Sequence, residues 1–101
     1  MSMLKESIPE EFLRDVDRAI EILQECGAQQ IYLFGSIVDD RRSAPPRDLD
    51  IAVSGLPPER FFSAYAQLMD RLEHEFDLVD LDLESAFTET LTKHGQLQQV
   101  A

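Results

Sequence analysis

The sequence predicts an α+β fold in which a small β-sheet is covered by helices. Apolar side chains recur at helical spacing in two long segments, whereas three shorter segments are continuously apolar or alternate with polar residues, as strands do. The two kinds of segment follow one another along a chain of 101 residues, which is enough for one modest hydrophobic core. We therefore expect a single domain over residues 1–101, with its core at about 9–95.

The composition indicates a globular chain with an acidic surface. Nine Lys and Arg stand against twenty Asp and Glu, which gives a formal net charge of -11. Such a surface repels phosphate backbones, so direct nucleic-acid binding is disfavoured and a basic protein partner or metal ions are favoured. No apolar run approaches the roughly 20 residues of a membrane span, and the N-terminus lacks the order of a signal peptide. We therefore expect a cytoplasmic protein that does not contact membranes.

The first half of the chain predicts a helix, a strand and a sharp break. An amphipathic pattern over about residues 9–26 predicts the helix, which Gly27 ends. Residues 30–34 are apolar and β-prone, as in a strand that is buried on both faces. Gly35 and Ser36 interrupt this strand, and the polar loop that follows contains two adjacent prolines.

The second half predicts a strand, a long helix, a third strand and a final helix. Residues 48–54 are the second strand, and an apolar stripe then marks a helix from Pro58 to about His74. Residues 76–83 alternate well enough for the third strand. Ser85 is a good N-cap for a last helix that ends at Lys93. The tail, residues 96–101, carries no pattern.

Two aspartates at the start of the second strand are candidates for chemistry. Asp48 and Asp50 are separated by one residue, so the strand period places both carboxylates on one face, while Leu49 and Ile51 fill the other. Two like charges held on a rigid element cost free energy unless a cation neutralises them. Mg²⁺ is the natural candidate because it prefers carboxylates together with substrate phosphate oxygens.

The Gly35-Ser36 turn is a candidate phosphate site. Glycine lets the backbone approach a ligand closely, and Ser36 adds a hydroxyl and an N–H at a possible helix N-terminus. A Gly-Ser after a strand is more often a plain turn, and Asp-x-Asp is more often a solvated strand edge. Their order along the chain, followed by a third strand that also contains aspartates, favours one joint site for phosphate and metal.

The ordered motifs of this chain resemble the polymerase-beta-type nucleotidyltransferase superfamily, in its minimal nucleotidyltransferase (MNT) branch. The motifs are Phe34-Gly35-Ser36, Asp48-Leu49-Asp50-Ile51 and Phe76-Asp77-Leu78-Val79. The resemblance covers roughly residues 9–95 and implies the nucleotidyltransferase fold, with a small mixed β-sheet flanked by helices. It also implies Mg²⁺-dependent transfer of a nucleotidyl group. For members paired with a helical HEPN protein, it implies an antitoxin that inactivates a HEPN ribonuclease toxin by adding AMP from ATP, and hence a hetero-oligomer.

The resemblance assigns roles residue by residue. Gly35 and Ser36 match the Gly-Ser that contacts the triphosphate, and Asp48 and Asp50 match two metal ligands. Asp77 best matches the third carboxylate, which would bind metal and help to activate the acceptor hydroxyl.

Asp80 and Asp82 are alternatives for this third carboxylate. A strand that directs Asp77 toward the site directs Asp80 to the opposite face, so both cannot serve unless a bulge intervenes.

The loop between the two motifs departs from the family. Many relatives follow Gly-Ser with an Arg-x-Arg-Gly turn, whereas here residues 37–40 read Ile-Val-Asp-Asp. The missing arginines leave Arg41, Arg42 and Arg47 as substitutes by position only. We therefore expect weaker or altered binding of the triphosphate, although the carboxylates are retained.

The predicted function is the transfer of AMP from Mg-ATP to a hydroxyl of a partner protein, with a HEPN toxin as that partner. The sequence leaves two alternatives to this function open. One is a non-catalytic acidic module that neutralises a basic partner by covering it, and the other is a nucleotidyltransferase that acts on a small molecule. The single acidic domain disfavours the last alternative, because drug-modifying relatives usually need a second module.

Overall fold

The computed structural model describes residues 8–39, 44–94 and 97–101. Within these ranges, three α-helices flank one mixed four-stranded sheet, which confirms the predicted fold class. The helices are α1 (Glu10–Glu25), α2 (Phe61–Arg71) and α3 (Ala86–His94). The strands are β1 (Gln30–Phe34), β2 (Leu49–Ser54), β3 (Phe76–Asp80) and β4 (Gln98–Gln99).

The sheet has the strand order β3-β2-β1-β4. Strand β1 is antiparallel to both β2 and β4, whereas β2 and β3 are parallel and are connected through α2. The register aligns Asp50 with Phe34 on one side and with Asp77 on the other. Asp50 therefore lies in a central strand, next to the strand that carries the third predicted carboxylate.

The hydrophobic core lies between one face of the sheet and the helices α1 and α2. Phe12 and Leu23 of α1 and Leu68 of α2 are fully buried in the same apolar cluster as Leu49 and Ile51 of β2. Because side chains alternate along a strand, burial of Leu49 and Ile51 on this face places the Asp50 side chain on the other. The packing that stabilises the sheet thus also displays the aspartate.

Two elements end earlier than the sequence predicts, and a polar contact explains each end. Helix α2 stops at Arg71, because the backbone N–H groups of Glu73 and His74 donate to the carboxylate of Asp15 on α1. Strand β3 stops at Asp80, whose Oδ1 accepts a hydrogen bond of 2.9 Å from the Asp82 N–H and so forms a local turn.

The tail contributes a strand that the sequence does not predict. Gln98 and Gln99 pair with β1, and the Ile31 N–H donates to the Ala101 carbonyl at 3.0 Å. Backbone hydrogen bonds form this pairing, so it requires no apolar pattern in the sequence. The Ser85 cap is confirmed, since its Oγ accepts the Thr88 N–H at 3.1 Å.

Helix α1 begins at Glu10, with Pro9 in the cap position. No helix in the described part of the chain has both the length and the apolar character needed to cross a membrane.

Candidate active site

Three aspartates meet at one end of the β2 and β3 strands. Asp48 directly precedes β2 and is exposed, Asp50 is partly buried, and Asp77 is exposed on β3 in register with Asp50. The parallel pairing of two strands therefore brings together carboxylates that lie far apart in the sequence.

The carboxylates influence one another electrostatically. Burial, the negative charges of Asp77 and Asp48, and a side-chain hydrogen bond with Asp77 together raise the pKa of Asp50 from its ordinary 3.8 to about 6. A hydrogen bond between two carboxyl groups requires a proton on one of them. The site therefore favours a proton or a cation between Asp50 and Asp77.

Gly35 is required by the position of Asp50. Its φ is +77°, in the left-handed region that favours glycine, and a Cβ added there would collide with Asp50 Oδ2 and lie 3.2 Å from Asp50 Cγ. The absence of a side chain thus lets the turn after β1 lie directly against the carboxylate. The sequence suggested that this glycine gives a ligand access, whereas in the structure it first makes room for Asp50.

The Gly-Ser turn forms a four-residue 3₁₀ segment, Gly35–Val38, and Ser36 is exposed in it. This differs from the α-helix N-terminus considered from the sequence. So short a segment has only a small dipole, and any phosphate contact must come from individual N–H and hydroxyl groups.

An open cleft of about 530 Å³ joins the two motifs. It is lined by Ser36, Ala44, Pro45, Pro46, Arg47, Asp48 and Asp50. The cleft thus places a hydroxyl, a guanidinium and two carboxylates around one space. Of the three arginines proposed as substitutes, Arg47 lies in the cleft, while Arg41 and Arg42 lie outside the described residues.

The two alternatives for the third carboxylate have other partners. Asp80 is buried, is aligned with Val53 rather than Asp50, and accepts the Asp82 N–H. Asp82 Oδ2 in turn accepts the Gly55 N–H at 2.7 Å. Both carboxylates therefore stabilise turns, and Asp77 is the one that the fold places beside Asp50.

The donor set fits a hard divalent cation. Asp48, Asp50 and Asp77 offer only carboxylate oxygens, which suit Mg²⁺ better than zinc, and their mutual repulsion would be relieved by a cation. Among the described residues, no three His, Cys, Asp or Glu side chains are arranged as a ready metal-binding group. The three aspartates are therefore neighbours that would have to adjust to share one ion, and their role as ligands stays a prediction.

The family model described as "Polymerase beta, Nucleotidyltransferase" matches residues 17–97, which is most of the chain. The chain belongs to this nucleotidyltransferase family. The match includes both the Gly-Ser turn and all three aspartates of the candidate site. A comparison with curated protein sequences finds no match.

Solved structures of a toxin-antitoxin pair share the fold of this nucleotidyltransferase. The MntA-HepT structure is 27% identical at a TM-score of 0.56, covering 85% of this chain and 68% of that chain. A mutant of the pair with a tyrosine changed to alanine is 28% identical at a TM-score of 0.59, covering 85% of this chain and 70% of that chain. A further mutant, with two aspartates changed to glutamate, is 26% identical at a TM-score of 0.56, covering 80% of this chain and 69% of that chain.

Sequence reasoning missed one buried polar cluster near this end of the sheet. Asp15 on α1 is only 1% exposed, and its Oδ2 lies 2.9 Å from Nδ1 of His74, which is half-buried. The only available signal was an aspartate next to a buried valine, Val16, at the boundary of the apolar stripe. Its partners are far away in the sequence and could not be read from it.

Proposed function

We propose that this nucleotidyltransferase moves AMP from ATP to a hydroxyl of a partner protein and acts as the antitoxin of a toxin-antitoxin pair. The partner would be a HEPN-type toxin in the same cytoplasm, held in a hetero-oligomer. One observation carries the proposal: Asp50, which lines the cleft, lies against the Gly35 turn and shares a hydrogen bond with Asp77 of the neighbouring strand. The similarity to the MntA-HepT structures supports the choice of partner.

In the proposed reaction, the acceptor oxygen attacks the α-phosphorus of ATP. The new oxygen–phosphorus bond forms as the bond to the bridging oxygen breaks, and pyrophosphate leaves with that electron pair. We assign the hydroxyl proton to Asp77, because this carboxylate is exposed beside Asp50. We expect Ser36 and Arg47 to hold phosphate oxygens, because both line the cleft.

Asp48, Asp50 and Asp77 would hold Mg²⁺. When bound, Mg²⁺ would neutralise charge on the triphosphate and on the leaving pyrophosphate. The chain's own contribution is to keep these carboxylates on a rigid strand pair against the Gly35 turn.

The test uses ATP labelled at the α-phosphate, Mg²⁺ and the purified protein that the neighbouring gene encodes. Wild type should transfer the label to that protein, and the Asp48→Asn, Asp50→Asn double variant should not. The Glu21→Gln, Glu25→Gln variant removes the same charge from the exposed face of α1 and should transfer as wild type does. No transfer by wild type, or undiminished transfer by the aspartate variant, would contradict the proposal.

A non-catalytic antitoxin is the second candidate. The net charge of -11 and the missing arginine turn favour it, because both suit coverage of a basic partner without nucleotide chemistry. In that case the Asp48→Asn, Asp50→Asn variant would still neutralise the toxin, although no label is transferred. Transfer to small alcohols but not to the protein would instead indicate a small-molecule acceptor.

A further inference from the structure

Helix α2 carries more apolar side chains than the core uses. Ala64 and Leu68 are buried, whereas Phe62 is 81% and Met69 is 66% exposed, more than any other large apolar residue in the described ranges. Tyr65, which is partly buried, lies between them at helical spacing, so Phe62, Tyr65 and Met69 form one apolar stripe along the helix. A continuous exposed apolar surface of this kind marks an interaction site, whereas isolated exposed residues do not.

The stripe continues into a groove between α2 and the start of β3. This α2–β3 groove has a volume of about 340 Å³ and is lined by Tyr65, Met69, Glu73, His74, Glu75 and Phe76. The Tyr65 and Phe76 rings are 5.0 Å apart and form its aromatic wall. The groove offers a large apolar side chain a concave site beside the exposed stripe.

Buried contacts hold the polar wall of the groove in place. The carboxylate of Asp15 accepts the Glu73 and His74 N–H groups at 3.0 and 2.8 Å, and Asp15 Oδ2 lies 2.9 Å from His74 Nδ1. The imidazole also stacks on the buried Phe12 ring, at 4.1 Å between centroids. A groove that is fixed before binding loses little conformational entropy when a partner docks.

The charge around the groove selects the occupant. Glu73 and Glu75 are both exposed at its rim, on a chain with a net charge of -11. The guanidinium groups of Arg14 and Arg18 lie 3.7 and 3.9 Å from the Glu73 carboxylate, which are long distances for ion pairs, so they neutralise the Glu73 charge only in part. A second copy of this chain would bring the same negative charge and be repelled, whereas a segment with Lys or Arg beside its apolar residues would be attracted.

The groove adjoins the candidate active site. Phe76 of the groove and Asp77 of the site are consecutive residues, whose Cα atoms are ~3.8 Å apart. They begin β3, which is an edge strand of the sheet. A protein bound in the groove can therefore reach around this edge to the cleft.

We propose that the α2–β3 groove docks the acceptor protein through a segment that presents large apolar side chains flanked by Arg or Lys. The identity of the acceptor rests on the proposed function, whereas the binding does not require that AMP is transferred. Phe62 and Met69 are the apolar anchors, and Glu75 selects the basic flank.

The experiment measures the Kd of the full chain for the purified protein encoded beside it, by isothermal titration calorimetry. The Phe62→Ser, Met69→Ser variant should weaken binding about tenfold or more. Leu83→Ser is the control for loss of exposed apolar surface, because Leu83 is 63% exposed and lies outside both the groove and the stripe on α2. Because the replaced residues are exposed, circular dichroism and the melting temperature should match those of wild type.

The charge is tested by reversal at matched positions. Glu75→Lys should weaken binding several-fold at low salt, whereas Glu21→Lys, with the same change in net charge on α1, should change it by less than about twofold.

Parallel measurements separate this inference from the proposed function. If the groove variants weaken binding but wild type never transfers AMP, the docking proposal is supported and the proposed function is contradicted. If wild type does not bind the partner, or if the Phe62→Ser, Met69→Ser variant binds as wild type does, the groove proposal falls whatever the transfer assay shows. A dimer of this chain alone that the same variant dissociates would identify a second copy as the occupant and would also overturn the proposal.

Discussion

Replacing Asp50 by asparagine should stabilise the metal-free protein at neutral pH while it abolishes nucleotidyl transfer. Asparagine keeps the shape that packs against Gly35 but removes a charge that burial and two neighbouring aspartates disfavour. The pKa of Asp50 is about 6 in the folded protein, against an ordinary 3.8. The folded state therefore holds this proton more tightly than the unfolded state does, and ionisation destabilises the fold.

The size and the pH dependence of the effect follow from these two pKa values. At 1.36 kcal/mol per pKa unit, the difference corresponds to about 3 kcal/mol. The cleft is open to solvent, so we discount this to about 1 to 2 kcal/mol. The penalty is absent below pH 3.8, grows between pH 3.8 and about 6, and is complete above that range.

The assay is urea unfolding in EDTA at pH 4 and pH 7.5, with Glu21→Gln as the control for removal of one negative charge. The Asp50→Asn variant should be about 1 to 2 kcal/mol more stable than wild type at pH 7.5 and nearly equal to it at pH 4. An equal gain at both pH values, or no gain beyond that of Glu21→Gln at pH 7.5, would refute the electrostatic reasoning.

Three further substitutions test other parts of the structure. Asp15→Ala should lower the free energy of unfolding by about 3 kcal/mol in urea titrations, because it leaves part-buried N–H groups of Glu73 and His74 unpaired. Glu21→Ala on the exposed face of α1 should change the free energy of unfolding by less than about 0.5 kcal/mol, and an equal effect of both substitutions would contradict the role of Asp15. Gly35→Ala should lower the free energy of unfolding by about 1 to 3 kcal/mol in thermal melts and should reduce transfer, because Gly35 has a positive φ and contacts the Asp50 carboxylate. An unchanged melting temperature and unchanged transfer would contradict this role of Gly35. Arg47→Ala should raise the KM for ATP several-fold in steady-state assays, whereas exposed Arg60→Ala should not, and equal KM values would remove Arg47 from the site.

Local patterns predicted the elements that carry their own signal. The helical period marked α1 and α2, because burial on one face of a helix imposes that period. Short apolar runs marked the first three strands, because buried positions select apolar side chains. The strand Gln98–Gln99 could not be predicted, because its pairing uses backbone groups of two polar residues. The early end of α2 depends on Asp15, which is 58 residues from Glu73 in the sequence, and no local rule reports such a contact.

The candidate site divides in the same way. The spacing of Asp48 and Asp50 predicted a shared face from local geometry alone. The position of Asp77 beside Asp50 depends on the parallel register of β2 and β3, which only the family resemblance could suggest. The place of Arg47 in the cleft depends on the course of the loop, and the sequence offered it only by position.

The mass of the partner protein after incubation with this chain, ATP and Mg²⁺ shows whether AMP is attached to it. Wild type should add the mass of AMP and Asp77→Asn should not, whereas Asp80→Asn should retain transfer because Asp80 faces away from the site. Circular dichroism should show that both variants are folded. An unmodified partner with wild type, or transfer that survives Asp77→Asn and is lost in folded Asp80→Asn, would contradict the proposed function.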